Sequence, residues 1–492
     1  MKILYVASEA RPFIASGGLA DVAGSLPQSL KRKGVDCRVV IPLYSGIPWH
    51  LRNGLRFITQ LGVPVSWRMR YCGVFQTEYD GVTYYFLDNE YYFNRDTLYD
   101  EYDNAERFAF FSRAALEFLP HVDFRPDIID ANDWQTALVP IYHYLYYARR
   151  EWYAGIKTVI TIHNIAFQGK YGFEIFNDTL GLPDWAVNIV EYDHCLNIMK
   201  GSLQTANSIV TVSPGYAREI SGNHRDAAGY DFGQGLTPLL KTESWKLTGI
   251  LNGVDMNHID PAKDKNLYAN YNSANFQQGK EENKRKLQER LGLEQRVDVP
   301  LIGIVSRIDS RQKGCQLVLE AINCGLLDWH DAQFVLLGNA ADGDWEGKRI
   351  EDGFRAIENH YHGRAVAYIG FVPELAQKIY AASDIYLMPS KYEPCGLSQI
   401  IALKYGAVPV VRETGGLTDT VQDSLHGTGN GFTFRNYSGK ELRDAIERAL
   451  WGYKNRDGWN MLTKRAMECD FSWDSGSVNK YINLFENLLS VS

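Results

Sequence analysis

A seven-residue tract, Ser16-Gly17-Gly18-Leu19-Ala20-Asp21-Val22, returns as Thr414-Gly415-Gly416-Leu417-Thr418-Asp419-Thr420 in the other half of the chain. Each copy follows an apolar run of strand character and stands where a helix can open. The same local event, strand then Gly-Gly turn then helix, is therefore required twice. Around both copies, short runs rich in Val and Ile alternate with longer amphipathic stretches, the pattern of a parallel sheet with helices on both faces. Candidate strands fall at 3–7, 37–42, 83–87, 127–130, 158–161 and 208–212 in the first half. In the second half they fall at 301–305, 333–337, 365–369, 384–388 and 408–411, with 247–252 lying between the halves. The polar segment 263–278 has four Asn and no periodicity, and reads as a surface connection. A chain of 492 residues exceeds one core of ~100–200 residues, so two doubly wound α/β domains are expected.

Composition removes several classes. The net charge of -8 argues against a general nucleic-acid partner. No run of ~18 apolar residues occurs, so no membrane span is expected. The apolar start soon meets Glu9 and Arg11 and reads as a first strand, not a secretory leader. Seven cysteines, odd in number and without a C-x-x-C pair, suit a reducing cytoplasm with neither disulfides nor a zinc site. The eleven histidines lack ligand spacing, and no metal is expected.

Ligands in open α/β sheets bind beyond the carboxyl ends of the strands. The polar residues of interest lie there. A Gly-Gly turn lets backbone N–H groups approach a ligand, and a helix start adds about half a positive charge. Both loops thus suit an anion or a polar sugar. Arg307 and Lys313, in Ser306-Arg307-Ile308-Asp309-Ser310-Arg311-Gln312-Lys313-Gly314, can hold a diphosphate and stabilise the charge that grows as it leaves. A solvated basic turn is the plainer alternative, and no P-loop motif is present. His163 and Asn164 close a buried run and can orient substrate hydroxyls; alternatively a backbone carbonyl satisfies the histidine. Asp133-Trp134-Gln135 follows another strand, with a helix N-cap and a core Trp as the alternative. Glu393 precedes a proline and so sits in a loop, able to accept from sugar hydroxyls or to face a helix start. Cys395 reads as a small packing residue, because no histidine pairs with it. Tyr142, Tyr144, Tyr146, Tyr147, Trp152 and Tyr153 crowd one expected helix. Aromatic faces suit sugar rings, yet core packing is the preferred reading there and for the cluster from Tyr84 to Tyr102.

Taken in order, the tracts 16–22, 130–135, 161–169, 250–255, 312–314, 388–397 and 414–419 resemble the glycogen/starch synthase group of GT-B glycosyltransferases over essentially the whole chain. The resemblance implies two Rossmann-like domains facing an interdomain cleft, 1–248 and 249–470, with a C-terminal helix in 471–492 crossing back to the first. It also implies transfer of glucose from ADP-glucose to the non-reducing 4-hydroxyl of an α-1,4-glucan, with retention and with no metal or other cofactor. By position, Arg307 and Lys313 would hold the distal phosphate, and Glu393 would contact the transferred glucosyl ring. Cys395, Gly396 and Leu397 continue that tract as substrate-binding residues. Thr414, Gly415 and Gly416 would face phosphate or sugar oxygens, and Phe371 would stack on adenine. His163 would lie by the sugar's 6-hydroxyl, its carbonyl near the reacting carbon, with Asn164 beside it. Gly18 and Asp21 would contribute from the first domain, Asn252 at the donor or the hinge, and Trp134 and Gln135 near donor or acceptor.

Four positions depart from the family pattern. Ala15-Ser16 replaces Lys-Thr before the first Gly-Gly, and Gln135 replaces a frequent His. The spacing from Arg307 to Lys313 is one residue longer than usual, so that loop must bulge. Ile401 stands where a second glutamate would contact ribose. The expected partners are a nucleotide-sugar donor and an α-1,4-glucan, with neither nucleic acid nor membrane. The alternatives are a related GT-B enzyme using UDP-glucose or a small acceptor, or a catalytically silent glucan-binding relative. A dehydrogenase is disfavoured because no strand is followed by G-x-G-x-x-G.

Overall fold

A computed structural model describes residues 1–99, 101–223, 229–256 and 259–490. They form two units. The first takes residues 1–223, 231–254 and 472–490; the second takes 255–471 together with Gly229 and Tyr230. The boundary thus falls after Val254, where the sequence reading put it at 249.

The strands of the first unit are β1 (Lys2–Val6), β2 (Asp36–Pro42), β3 (Arg56–Val65), β4 (Arg68–Tyr79), β5 (Val82–Asp88), β6 (Ile128–Asn132) and β7 (Lys157–Ile162). They continue with β8 (Lys170–Tyr171), β9 (Glu191–Tyr192), β10 (Cys195–Asn197), β11 (Ser208–Thr211) and β12 (Leu247–Gly249). Among the described residues the main sheet runs β12-β11-β7-β6-β1-β2-β5-β4-β3, with β8, β10 and β9 in a small separate sheet. The pairs from β12 to β5 are parallel; β4 and β3 add antiparallel. Along the parallel part the chain builds outward from β1 through β2 to β5, then returns and builds the other way from β6. The switch point is therefore between β1 and β6, where ligands bind beyond the strand ends. Of the β3–β4–β5 meander, β5 is the strand expected at 83–87, whereas β3 and β4 have no counterpart in the expected strands. Its β4–β5 turn is Asp80-Gly81, both at positive φ (48° and 76°), as a two-residue type I′ hairpin requires.

The chain's last helix, Ser477–Ser490, packs on the helix Gly18–Arg32 of this same unit. Trp473 leads into it, only 2% exposed, with its indole N–H donating to Ser25 Oγ at 2.8 Å. A Cβ on Gly253 would stand 2.6 Å from the Trp473 backbone nitrogen, so glycine is needed for this crossing.

The second unit holds β13 (Leu301–Val305), β14 (Gln333–Gly338), β15 (Ala365–Ile369), β16 (Ile385–Met388), β17 (Val408–Arg412) and β18 (Phe432–Phe434). Among the described residues the order is β15-β14-β13-β16-β17-β18, all parallel, and the switch point lies between β13 and β16. Alternate residues serve opposite faces. Ile302, Ile304, Phe334 and Leu336 join one apolar cluster; Leu301, Val335 and Leu337 join another with Leu375 and Ile379. A strand apolar on both faces is the mark of a covered parallel sheet.

The segment 263–278 is more than a surface connection. Tyr271 is 2% exposed and donates to the Tyr405 carbonyl at 2.7 Å, and the helix Phe276–Leu291 has already begun within it. The expected aromatic helix near residue 145 is three short helical pieces, with Tyr142, Tyr147 and Tyr153 in the core. No helix among the described residues is long and apolar enough to cross a membrane.

Candidate active site

In the first unit, polar residues gather on the loops leaving β1, β6 and β7. After β1, Glu9 is 3% exposed; its carboxylate accepts from the Ser16 backbone N–H and from Ser16 Oγ at 3.1 Å. The Tyr99 hydroxyl lies 2.8 Å from Ser8 Oγ and also bonds Glu9. Burial raises the Glu9 pKa against these bonds. Glu9 thus ties the first Gly-Gly loop, which opens the helix Gly18–Arg32, to the loop carrying Tyr99. In that helix's first turn, Asp21 pairs with Arg11, and burial raises its pKa against the arginine's pull.

After β6, Asp133 adopts φ 57° and turns its carboxylate onto the chain leaving β7. Oδ1 accepts from the His163 N–H at 2.7 Å and the Asn164 N–H at 3.3 Å. Asp133 stands at the N-cap position considered from the sequence, before the short helix Trp134–Thr136, but its side chain does not cap that helix. Burial pushes its pKa up to about 7, the two N–H groups opposing. Nor does a backbone carbonyl satisfy the His163 ring: Nε2 lies 2.9 Å from the side-chain Oδ1 of Asn132. Burial lowers the imidazole to about 3, so it is neutral at working pH. The Asn164 carboxamide turns back to accept from the Ala166 N–H at 3.0 Å. Trp134 is 8% exposed and edges Phe108 at 5.3 Å, a packing role. Gln135 Oε1 and Asn252 Oδ1 are both buried without a hydrogen-bond partner among the described residues. Buried acceptors left unmet in this way mark positions where a ligand donor would be favourable.

In the second unit, the loops after β13 and β16 are bound together. Lys313 Nζ lies 2.8 Å from Glu393 Oε2, which also accepts from Ser390 Oγ at 2.9 Å. The Lys391 N–H donates to the Gln312 carbonyl at 2.7 Å. The expected bulge before Lys313 is organised by Asp309, whose Oδ1 accepts from the N–H groups of Arg311 (2.7 Å) and Gln312 (3.2 Å). Gly314 follows at φ 71°, and a Cβ there would stand 2.0 Å from the Pro389 carbonyl oxygen. Arg307 keeps 66% of its side chain exposed, with Asp309 3.8 Å away, so its guanidinium is available to a ligand.

The glycine loop after β17 opens a helix of six residues, Gly415–Thr420, behind a buried Thr414. Its Gly416 N–H donates to the Glu393 carbonyl at 3.0 Å and its Leu417 N–H to the Thr414 carbonyl at 3.0 Å. Those two donors serve the protein itself, unlike the phosphate-facing backbone expected there. Gly416 and Cys395 meet closely: a Cβ on the glycine would lie 2.2 Å from the Cys395 carbonyl oxygen. Cys395 is 5% exposed and packs, as read from the sequence. Gly396 takes φ 74°, and the Leu397 carbonyl accepts from the Ile401 N–H at 2.9 Å, starting the helix Ser398–Lys404. Phe371, just after β15, presents 84% of its surface to solvent.

Residues 2–242 match the family described as the starch synthase catalytic domain, and residues 299–451 match glycosyl transferases group 1. The glycogen synthase of Clostridium botulinum (strain Alaska E43 / Type E3) is 46% identical over 493 residues, covering 99% of each chain. The chain belongs to the glycogen/starch synthase family of glycosyltransferases. A second member, the glycogen synthase of Anoxybacillus flavithermus (strain DSM 21510 / WK1), is 44% identical over 100% of this chain and 99% of its own. The solved catalytic domain of starch synthase IV from Arabidopsis thaliana, bound to ADP and acarbose, matches with a TM-score of 0.88 at 34% identity, covering 99% of each chain. Sucrose-phosphate synthase from Thermosynechococcus elongatus matches with a TM-score of 0.62 at 15% identity, a likeness of fold alone. The two doubly wound units are the GT-B architecture of this family.

Glu9, Ser8, Tyr99, Asn132 and Asp309 were not singled out from the sequence as site residues. Glu9 carried a usable signal: a carboxylate two residues beyond an apolar strand, on the side where ligands bind. Asn132 carried another, an amide at the last position of a strand otherwise wholly buried.

Proposed function

We propose that the protein transfers glucose from ADP-glucose to the non-reducing 4-hydroxyl of an α-1,4-glucan, retaining the anomeric configuration. The observation that carries this reading is the pairing of Lys313 with Glu393 at the switch point of the second unit, beside an Arg307 free to bind an anion. In this reading Arg307 and Lys313 hold the diphosphate and stabilise its growing charge. Phe371 supplies the face for adenine. The acceptor oxygen attacks C1 as the C1–O bond to the distal phosphate breaks; the bonding pair goes to the phosphate, which takes the acceptor's proton on the same face. His163, neutral and a very weak base, is no proton carrier here and serves to orient the sugar. The ADP and acarbose held by the Arabidopsis relative support the donor and acceptor classes. The same reading puts the enzyme in the cytoplasm.

The test is a titration of ADP-glucose against UDP-glucose with glycogen as primer, reading nucleoside diphosphate release and the anomeric proton of the product. ADP-glucose should be the better donor, and every new linkage should be α-1,4. A β linkage, or release that is indifferent to glycogen, would refute the reading.

A further inference from the structure

Asn132 closes β6 at 0% exposure, so both ends of its carboxamide must be accounted for. Nδ2 lies 3.1 Å from the Val6 carbonyl and 3.1 Å from the Asp130 carbonyl. Both partners are pure acceptors, so the NH₂ must face them; the flipped amide would set Oδ1 against two carbonyl oxygens. Oδ1 is therefore the atom 2.9 Å from His163 Nε2. An acceptor facing Nε2 requires a proton on Nε2. The ring is neutral, so it has a single proton, and Nδ1 is left as a bare lone pair. Among the described residues Nδ1 has no hydrogen-bond partner. The backbone is fixed too, since Asp133 accepts the His163 N–H.

We propose that Asn132 is a positioning residue: it locks His163 in the Nε2–H tautomer, so that Nδ1 can only accept and selects a sugar that offers a hydroxyl there. The inference rests on the glucosyl-transfer reading for its substrate and on hydrogen-bond geometry for its tautomer. A locked acceptor gives discrimination that a freely tautomerising imidazole does not. A fluoro sugar, which can accept but not donate, leaves the lone pair unmet, whereas a ring able to switch its proton can turn an N–H toward the fluorine.

Two readouts test it. Long-range ¹H–¹⁵N spectra of histidine-labelled protein, with the His163 signals assigned by their loss in His163→Asn, report the tautomer without substrate. The wild type should show Nε2 protonated and Nδ1 bare. Asn132→Leu, which removes the acceptor, should lose the pattern. The second readout is kcat/KM for nucleoside-diphosphate glucose and its 3-, 4- and 6-deoxyfluoro analogues, which accept but cannot donate. One analogue should be rejected by the wild type by roughly 10–100-fold, and Asn132→Leu should lose most of that rejection. A proton on Nδ1 in the wild type, or an unchanged tautomer and analogue profile in Asn132→Leu, overturns the proposal. Should the wild type transfer no glucose from any donor, the glucosyl-transfer reading fails instead, and the spectrum still decides the tautomer.

Discussion

Replacing Lys313 by Met isolates the contact on which the second unit's site is built. At 2.8 Å, a unit charge pair attracts by about 6 kcal/mol for an effective dielectric of about 20. Most of that offsets the desolvation of both groups. The useful quantity is thus the loss when one partner is removed and the other stays buried. The Glu393 side chain keeps 7% of its surface and would retain Ser390 as a partner; the Lys313 side chain keeps 19%. Breaking a well-buried pair costs about 3–5 kcal/mol, and residual exposure puts Lys313→Met near the lower end, about 3 kcal/mol. Glu393→Gln should lose less, about 1–2 kcal/mol, because the ammonium can turn to water. The double variant should recover part of this, with a coupling of about 1–2 kcal/mol in the cycle.

Urea unfolding of the four proteins, read on the transition of the second unit, measures the cycle. Kinetics supply an independent arm. Each single variant should lose about 10²–10³ in kcat, with the double variant little worse than the poorer single, since the residues act as one unit. A coupling below ~0.5 kcal/mol, the limit expected of independent sites, together with multiplying kinetic losses, would show that the two side chains act separately and that the pair is not the anchor argued here.

Asp130 is fully buried, accepts from Thr161 Oγ1 at 2.8 Å and has its other oxygen unpaired. Burial raises its pKa from 3.8 to about 7, so the wild type loses stability as pH rises from about 4 through about 7. Asn carries no such charge: Asp130→Asn should gain on the wild type by up to about 4 kcal/mol at pH 8 relative to pH 4. Melting temperatures across that range test this, and a difference that does not change with pH refutes it. Phe371→Ala should leave stability within ~0.5 kcal/mol yet raise the donor KM by about tenfold at unchanged kcat, the signature of lost stacking. Initial rates against donor concentration separate the two parameters. Gly314→Ala forces a Cβ into the Pro389 carbonyl at a left-handed position. It should destabilise by at least about 2 kcal/mol and abolish turnover; a fully active variant would mean that the Lys313 loop tolerates displacement.

What could be read from the sequence divides along a physical line. Strands buried on both faces are filled mainly by apolar side chains, so β13 and β16 announce themselves as runs. The half-exposed β3 and β4 mix Arg, Thr, Gln and Glu with apolar residues and do not. The chemistry at strand ends was equally visible, because the fold brings carboxyl ends to the ligand and the residue types there are few. Pairing was not visible. Glu393 was expected to reach for sugar hydroxyls, and its carboxylate instead meets Lys313, 80 residues away, while its carbonyl takes the Gly416 N–H expected for a phosphate. Asp133 had a helix cap as its plainer alternative, and its carboxylate instead holds His163, 30 residues on. Such assignments depend on which buried group is nearest once two strands lie side by side. Asn132 shows the limit most clearly. One-dimensional reading finds an amide at the end of an apolar strand and knows only that it needs partners. The parallel register that pairs β6 with β1 on one side and with β7 on the other supplies the rest. Val6 of β1 takes one end of the amide and His163, just past β7, takes the other. A tautomer, and with it the sign of a hydrogen bond to substrate, is decided by strand order.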